Sequence, residues 1–231
     1  MCGRYFLARP PAELSRLFRT VNPVPNQPAR FNIAPTQDSL VVRRNPETGE
    51  RHLDRLRWGL VPLWAKDAAI GSRMINARAE SLAEKPAYRE AYARRRCLVP
   101  IDGFYEWAQV QGQSDKKTRK QPYAVAFERG GPMVLAGLWE RWRAPDQTIL
   151  RSFTVVTCPA APQLVHLHER MPVILPESAW PLWLGEEEGD PGGLLRPADG
   201  TLLRIWPVST RVNAVREDDE ALLAPDPPAQ S

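Results

Sequence analysis

Proline restricts the fold of this chain more than any other residue, because 24 prolines are spread along its 231 residues. A proline inside a helix removes a backbone hydrogen bond and clashes with the preceding turn, so closely spaced prolines exclude long helices. Between them lie apolar runs and apolar alternation, both typical of strands. Such patterns cover residues 5–8, 40–43, 53–58, 97–101, 105–109, 123–127, 133–139, 153–157 and 203–207.

Helical spacing is confined to short segments. At residues 11–18, Leu14, Leu17 and Phe18 share one helix face, and a proline stands in the first turn. Similar patterns cover residues 86–95, 163–167 and 177–184. Because strands outnumber helices, we predict an α+β fold: a single domain with a curved, largely antiparallel, barrel-like β-sheet flanked by short helices. We assign residues 1–224 to this domain and predict a disordered tail at residues 225–231.

Composition and cysteine content limit the class of protein. The chain is 43% hydrophobic, and its apolar runs stay below the roughly 18 residues that a membrane span requires, which predicts a soluble, cytoplasmic protein. Three scattered cysteines do not form a disulfide framework or a metal-ligand pattern. We therefore predict no metal, no cofactor and no membrane contact, and we expect a monomer. The net charge of +4 permits a nucleic-acid partner without requiring one.

Cys2 is distinctive because of its position in the chain. Removal of Met1, which we expect before a small side chain, would leave an α-amine and a thiol on adjacent carbons. An α-amine titrates near pH 8, at about 7.7–8.0, so much of it is an uncharged nucleophile at physiological pH. The amine can condense with an aldehyde to a Schiff base, and the thiolate can then close a five-membered thiazolidine. An internal cysteine cannot do this, because its nitrogen is part of an amide.

Three other polar residues stand in apolar surroundings. Asn76 follows an apolar pair, Glu106 stands between two aromatic residues, and His168 precedes an apolar run. Desolvation between aromatic side chains raises the pKa of a carboxyl group such as Glu106 toward the range useful for proton transfer. Each residue also has an ordinary structural explanation: a turn or helix cap, a salt bridge, and a hydrogen-bonded core histidine. Spacing alone does not show whether these side chains meet.

Eight short motifs follow one another along nearly the whole chain: Cys2-Gly3-Arg4-Tyr5, Phe31-Asn32-Ile33-Ala34-Pro35, Arg57-Trp58-Gly59-Leu60-Val61-Pro62-Leu63-Trp64, Ile75-Asn76-Ala77-Arg78-Ala79-Glu80, Arg96-Cys97-Leu98-Val99-Pro100, Gly103-Phe104-Tyr105-Glu106-Trp107, Ala136-Gly137-Leu138-Trp139-Glu140 and His168-Glu169-Arg170-Met171-Pro172-Val173-Ile174-Leu175. Each motif is modest alone, but together and in this order they are highly specific. The chain resembles the SOS-response-associated peptidase family, whose members are abasic-site processing proteins.

The resemblance implies a single α+β domain around a barrel-like sheet and a function in DNA repair. The implied activity is covalent capture of abasic sites in single-stranded DNA, through a thiazolidine formed by Cys2 after removal of Met1. Such a protein is a DNA–protein crosslinking enzyme of lyase or hydrolase type, and the family name also implies an autoproteolytic or peptidase activity. By the same resemblance, Asn76 orients the reacting N-terminus, Glu106 assists the amine, and His168 opens the deoxyribose ring by acid–base transfer.

The resemblance also assigns residues to the DNA. Guanidinium forks suit phosphate oxygens, and the matching phosphate contacts are Arg4, Arg78 and Arg170. Pro35 and Trp64 match apolar residues that cap bases beside the lesion, where stacking contributes about 1–3 kcal/mol per base. The alternative for Trp64 is an ordinary core tryptophan.

The chain departs from the family pattern at one motif. Many relatives have Thr-x-x-Ala-Asn, whereas this chain has Thr157-Cys158-Pro159-Ala160-Ala161. Thr157 keeps its match near the reacting sugar, and the asparagine is lost. Residues 111–120 have the composition of a variable hairpin tip.

Two other functions are compatible with the same residues. One is a thiol peptidase that acts on protein substrates, in which Cys2 attacks a carbonyl group with Glu106 or His168 as the base. The other is a non-enzymatic single-stranded DNA-binding module, which would bind undamaged DNA in a salt-sensitive way.

Overall fold

A computed structural model of the chain describes residues 2–111 and 118–226. The strands are β1 (Tyr5–Leu7), β2 (Arg30–Ile33), β3 (Asp38–Arg44), β4 (Arg51–Trp58), β5 (Asn76–Arg78), β6 (Arg96–Ile101), β7 (Gly103–Gln111), β8 (Thr118–Phe127), β9 (Met133–Arg143), β10 (Ile149–Pro159), β11 (Arg170–Pro172) and β12 (Leu203–Pro207). The α-helices are α1 (Pro11–Phe18), α2 (Arg89–Arg94) and α3 (Trp180–Leu184). Within the described ranges, no helix is both long and apolar enough to cross a membrane.

Five strands close into a barrel in the order β3-β4-β10-β9-β6, and the pairing of β6 with β3 completes the ring. All neighbours in the ring are antiparallel except β4 and β10, which run parallel where Phe153 pairs with Trp58. The rings of Phe153 and Trp58 stack against each other, with centroids 6.4 Å apart. The predicted α+β fold with a barrel-like sheet is therefore confirmed.

A second, antiparallel sheet lies beside the barrel, in the order β12-β8-β7-β1-β2. Its strand β1 joins the two sheets, because the ring of Tyr5 lies 4.8 Å from that of Trp58 in the barrel. The outer face of the barrel is covered by helices, and Phe18 of α1 packs against Trp180 of α3 at 4.7 Å. Burial of large apolar side chains such as these stabilises the fold by about 1.5–3 kcal/mol each.

The strand patterns in the sequence predict nine of the observed strands at their correct places, and α1 begins and ends where its pattern does. The three-residue strands β5 and β11 and the short strand β2 were not predicted. The helix predicted at residues 163–167 is wrong, because that segment forms turns. The Leu164 amide donates to the Ala161 carbonyl at 2.8 Å and the Leu167 amide to the Leu164 carbonyl at 2.9 Å, so successive turns with bonds three residues apart replace the helix.

The hairpin prediction for residues 111–120 agrees with the pairing of Gln111 with Thr118, and residues 112–117 lie outside the described residues. At the C-terminus, Pro225 forms a β-bridge with Val208, and the Asp226 amide donates to the Pro207 carbonyl at 2.9 Å. These contacts hold the first two residues of the segment predicted as a tail. Residues 227–231 lie outside the described residues.

Two glycines let the two ends of the loop between β4 and β5 lie against each other. Gly59 has a φ of 121°, and a Cβ at this position would lie 2.4 Å from the carbonyl oxygen of Gly71. A Cβ at Gly71 would lie 2.5 Å from the carbonyl oxygen of Gly59. The two backbone segments therefore approach more closely than any side chain permits, which fixes the start of the loop that carries Trp64.

Replacing Gly59 with alanine is expected to lower the free energy of unfolding by about 2–4 kcal/mol, because it adds a backbone clash to a strained φ. Urea denaturation measures this loss. Gly131→Ala is the matched control, since Gly131 has a φ of 94° with no atom within 4 Å of its Cβ position. The control is expected to cost about 1 kcal/mol. Equal losses in the two variants would show that the close approach contributes nothing.

Candidate active site

The two sheets bring the predicted catalytic residues to one place. Strand β7 pairs with β1, and the Tyr105 amide donates to the Arg4 carbonyl at 2.9 Å, which sets Glu106 beside the N-terminal segment. Strands β5 and β11 both pair with the C-terminal half of β10, where Thr157 is in register with each of them. This arrangement places Asn76 on one side of β10 and His168 on the other.

Cys2 is fully buried at the centre of this arrangement. The Asn76 side-chain amide donates a hydrogen bond of 2.8 Å from Nδ2 to the Cys2 carbonyl oxygen. The Tyr88 hydroxyl in turn donates to the Asn76 backbone carbonyl at 3.3 Å. Oδ1 of Asn76 is buried and accepts no hydrogen bond from a described residue. Asn76 therefore positions the Cys2 backbone and keeps one acceptor available at the site.

The electrostatics of the site couple Cys2, Glu106 and His168. Burial raises the pKa of the Cys2 thiol to about 12, and the negative charge of Glu106 adds to this rise. Burial also raises the pKa of Glu106, while the charge of His168 lowers it. The Trp107 amide donates to Glu106 Oε1 at 3.3 Å. The thiol is therefore held protonated beside a carboxyl group that can exchange a proton at a higher pH than usual.

His168 is half-buried and is oriented by the backbone on both sides. Its amide donates to the Leu164 carbonyl at 3.1 Å, and its ring Nδ1 accepts the Arg170 amide at 2.9 Å. Because Nδ1 is an acceptor, the neutral ring carries its proton on Nε2. Nε2 is therefore the atom through which His168 can exchange protons with a ligand.

Arg4 is fixed by contacts that the sequence does not predict. Its Nη1 donates to Asn32 Oδ1 and to the Val212 carbonyl, both at 2.8 Å, and its guanidinium carbon lies 5.9 Å from the centre of the Trp107 ring. Burial lowers the pKa of Arg4. Part of the donor capacity of Arg4 is therefore used inside the protein.

Asn32 joins the C-terminal segment to this side of the site. Its fully buried Nδ2 donates to the carbonyls of Val212, Ala214 and Glu217 at 3.2, 3.1 and 2.7 Å. A carboxylate oxygen of Asp218 accepts the Asn32 amide at 2.9 Å. The position of Asn32 inside a family motif was the one signal in the sequence for this role, whereas the pairing with residues 212–218 depends on the tertiary fold.

The remaining predicted DNA contacts differ in how accessible they are. Arg170 forms a bidentate ion pair with Glu80, at 2.7 and 3.0 Å, and donates to the Thr157 carbonyl at 2.6 Å. The Arg170 hydrogen bond lowers the pKa of Glu80. Thr157 is fully buried, whereas Arg78 is exposed. A phosphate group can reach Arg78 directly and must compete with Glu80 for Arg170.

Trp64 lies on the surface, with 59% of its area exposed, and its neighbour Leu63 is 54% exposed. The alternative of a core tryptophan is therefore excluded. The loop that carries Trp64 is fixed to β9, because the Trp142 indole donates to the Ala65 carbonyl at 2.8 Å. Pro35 is half-buried. An exposed indole on a rigid loop is suited to stacking against a base.

Ala161 occupies the place of the family asparagine. It is buried, and its amide lies 3.2 Å from the Met171 sulfur. Its side chain is apolar, so it offers no polar group at this position. Among residues 2–111 and 118–226, no group of three or more histidine, cysteine or acidic side chains is arranged to hold a metal ion.

The fold and the site define a class of protein: a single α+β domain in which a barrel and a second sheet enclose a near-terminal cysteine with an amide, a carboxyl group and an imidazole. The chain belongs to the family described as SOS response associated peptidase (SRAP), which it matches over residues 1–215. It is 35% identical to the abasic site processing protein YoqW of Bacillus subtilis (strain 168), across 96% of this chain and 99% of that protein.

One further relative and two solved structures are also similar to this chain. The abasic site processing protein HMCES of Gallus gallus is 31% identical over 80% of this chain and 60% of its own length. A crystal structure of a Bordetella bronchiseptica protein superposes with a TM-score of 0.76 at 28% identity, covering 90% of this chain and all of that one (100%). A Bacteroides thetaiotaomicron protein shares the fold, with a TM-score of 0.83 at 18% identity over 97% of this chain and 100% of its own.

Proposed function

We propose that this protein processes abasic sites in single-stranded DNA by forming a covalent thiazolidine with the lesion. The observation that carries the proposal is the arrangement around Cys2: Asn76 donates to its carbonyl oxygen, the charge of Glu106 acts on its thiol, and the charge of His168 acts on Glu106. The names of the relatives support an abasic site as the substrate. The position of Cys2 directly after Met1 supports capture of the aldehyde by its amine and thiol. The adduct would shield the lesion from strand cleavage until repair.

The reaction begins with the sugar, because a closed deoxyribose hides its aldehyde. The Nε2–H of His168 donates its proton to the ring oxygen as the carbon–oxygen bond of the ring breaks, and the same nitrogen takes the proton of the anomeric hydroxyl, which becomes the aldehyde. The neutral α-amine of Cys2, free after Met1 is removed, then attacks the aldehyde carbon. A nitrogen–carbon bond forms, and Glu106 takes the proton that the nitrogen loses. Glu106 returns that proton to the oxygen, which takes a second proton from solvent and leaves as water, so that a protonated Schiff base remains.

The thiol acts second. While it is buried beside Glu106, its raised pKa keeps it protonated, so it does not compete with the amine. Formation of the cationic Schiff base places a positive charge next to the sulfur, which favours the thiolate. The thiol gives its proton to Glu106 and the sulfur adds to the same carbon, while the electron pair of the carbon–nitrogen double bond returns to the nitrogen, which keeps the proton that it already carries. The product is a five-membered thiazolidine, and no oxidant or reductant is required.

DNA would be held by phosphate contacts and by stacking beside the lesion. Arg78 is the accessible arginine of the predicted set, and Trp64 is an exposed stacking surface. Pro35 precedes Thr36, whose amide donates to the Trp58 carbonyl at 2.8 Å, at the end of β4 where the loop that carries Trp64 begins. Arg4 and Arg170 already donate hydrogen bonds within the protein. They would bind phosphate through their remaining N–H groups, or through N–H groups that a bound phosphate frees from these partners. Thr157 would act through the backbone geometry of β10, because its side chain is covered.

The peptidase alternative fits the electrostatics of the site less well. A cysteine that attacks peptide carbonyls requires a lowered thiol pKa, whereas burial and Glu106 raise the pKa of Cys2. Aldehyde capture needs only the amine at the first step. Cleavage of Met1 in cis remains part of the proposal, since it generates that amine.

The proposal predicts a species that survives boiling in detergent when the mature protein meets single-stranded DNA with one abasic site. Its intact mass should equal the protein without Met1 plus the oligonucleotide less one water, since Schiff-base formation releases water and thiol addition does not. An oligonucleotide whose abasic aldehyde has been reduced with borohydride is the control. A stable adduct with the reduced site, or one that retains Met1, would contradict the proposed chemistry.

A further inference from the structure

The ion pair of Glu80 with Arg170 lies on the face of the barrel sheet that also carries Asn76. On β10, Val155 is in register with Asn76 of β5, and Pro159 is in register with Arg170 of β11. Residues in register across a sheet share a face, as do residues two apart along a strand. The Arg170 side chain therefore points to the same side of the sheet as the amide that holds Cys2.

The two charges of this ion pair differ in how deeply they are buried. The Arg170 side chain is 11% exposed, whereas the Glu80 side chain is 51% exposed. Leaving a buried charge without a partner is costly, but a carboxylate at the surface regains water when it separates from its partner. Of the two residues, Glu80 is therefore the one that can leave when another anion replaces it.

Arg170 has contacts that keep it in place without Glu80. Its Nη2 donates to the Thr157 carbonyl at 2.6 Å, and its backbone is held in β11 by pairing with Pro159. Glu80 extends from the short 3₁₀ helix Ala79–Ser81. In residues 2–111 and 118–226, Arg170 is the only other residue that donates a hydrogen bond to the Glu80 carboxylate. Separation of the pair would leave the guanidinium fixed and its outer N–H groups open.

The geometry of the pair is the one that a phosphate group would adopt. The two carboxylate oxygens of Glu80 accept from Nη1 and Nη2 of Arg170 at 2.7 and 3.0 Å. A phosphate presents two oxygens to a guanidinium in the same bidentate way. Glu80 therefore occupies the position of a bound phosphate and compensates the charge of Arg170 while DNA is absent.

We propose that Glu80 is an internal competitor of the DNA, whose carboxylate is exchanged for a phosphate that flanks the abasic sugar. The inference rests on the proposed function, in which His168 acts on that sugar. The Arg170 amide donates to Nδ1 of His168 at 2.9 Å, so a phosphate on the same arginine belongs next to the lesion. Because the exchange frees a carboxylate beside the DNA, Arg170 adds less to the affinity and its salt dependence than an uncompensated arginine would.

The test is binding of the full chain with Glu80→Gln to a single-stranded oligonucleotide of about 12 nucleotides. Its one abasic site is reduced with borohydride, so that no crosslink forms. We expect affinity at low salt to rise about fivefold and the salt slope to steepen by about 0.7, because the competing carboxylate is gone. The control is Glu84→Gln, which removes the same charge from an exposed glutamate on the same segment. No gain in Glu80→Gln, or an equal gain in both variants, would overturn the proposal.

A double variant tests whether the gain acts through Arg170. In an Arg170→Gln background, Glu80→Gln should raise the affinity no more than Glu84→Gln does, because the contested partner is absent. A full gain without Arg170 would overturn the proposal. Urea denaturation checks that each variant is folded, and the comparison of the single glutamate variants decides the matter if Arg170→Gln is not.

A neutral linkage identifies the phosphate. A methylphosphonate, placed in turn on the 5′ and the 3′ side of the reduced site, should abolish the advantage of Glu80→Gln at one of the two positions. An advantage that survives at both positions would overturn the placement beside the lesion. If the unmodified protein forms no adduct with an unreduced site, the proposed function fails, and these binding measurements still decide the role of Glu80. Adduct formation together with no effect of Glu80→Gln would leave the proposed function and overturn only the exchange.

Discussion

Replacing Cys2 with alanine is expected to lower the yield of heat-stable adduct by at least about a hundredfold, because no sulfur remains to close the ring. The α-amine is still released when Met1 is removed, so the variant should form the Schiff base. That intermediate hydrolyses on heating and becomes stable only after reduction. Gel analysis of boiled samples, with and without borohydride, measures both species.

Two other cysteine variants sharpen this test. Cys158 is also buried, and burial raises its pKa to about 11, so Cys158→Ala removes a comparable thiol away from the N-terminus. It should leave the adduct intact. Cys2→Ser keeps the size of the side chain and should lose the stable adduct as alanine does, because a hydroxyl group closes a weaker, hydrolysable ring. Equal stable adduct from Cys2→Ala and the unmodified protein would exclude the thiazolidine.

Most strands and helix α1 could be predicted from local sequence patterns. The closure of five strands into a barrel could not. Long strands such as β9 and β10 have continuous apolar runs, and α1 has one apolar face with a proline in its first turn. The short strands β5 and β11 have no pattern of their own, since each consists of three residues that pair only because β10 lies between them. The parallel contact of β4 with β10 likewise depends on the tertiary fold, because nothing in either strand selects a parallel partner.

In the candidate site, too, the sequence predicts the residues but not the contacts that depend on tertiary packing. Motif resemblance predicts Asn76, Glu106 and His168 as partners of Cys2. The structure places Asn76 and Glu106 beside Cys2 and His168 near Glu106, and their catalytic roles stay predictions. It does not predict that the Cys2 thiol is buried, which depends on the packing of two sheets. The internal partners of the DNA-binding arginines were also not predictable, because contacts such as Arg4 with Val212 join residues 208 positions apart.

Replacing Glu106 with glutamine is expected to change the two nucleophiles of Cys2 in opposite directions. Crosslinking should slow by about 10²–10⁴-fold, because the group that accepts the proton of the attacking amine is lost. The pKa of the thiol should fall, because the negative charge that helps to raise it has been removed. Rapid-quench crosslinking measures the first effect, and titration of thiolate absorbance measures the second.

The pH dependence of crosslinking follows from the charge of the Glu106 carboxylate. Burial raises the pKa of Glu106, and only the ionised form accepts a proton, so crosslinking by the unmodified protein should fall as pH decreases through that raised pKa. Glu106→Gln should lose this acidic limb, and the remaining rate should follow the titration of the amine alone. A role for Glu106 in packing only would slow the reaction without removing the limb.

Glu140→Gln is the matched control, since Glu140 is also buried with its pKa raised by burial, and its partner is Arg95 at 2.9 Å rather than Cys2. It is expected to change protein stability while leaving both the acidic limb and the thiol titration in place. A thiol pKa that stays constant or rises in Glu106→Gln would show that this carboxylate does not act on the sulfur. A lower thiol pKa together with slower crosslinking would mean that a more nucleophilic sulfur does not speed the reaction, as expected if the amine, activated through Glu106, attacks before the sulfur does.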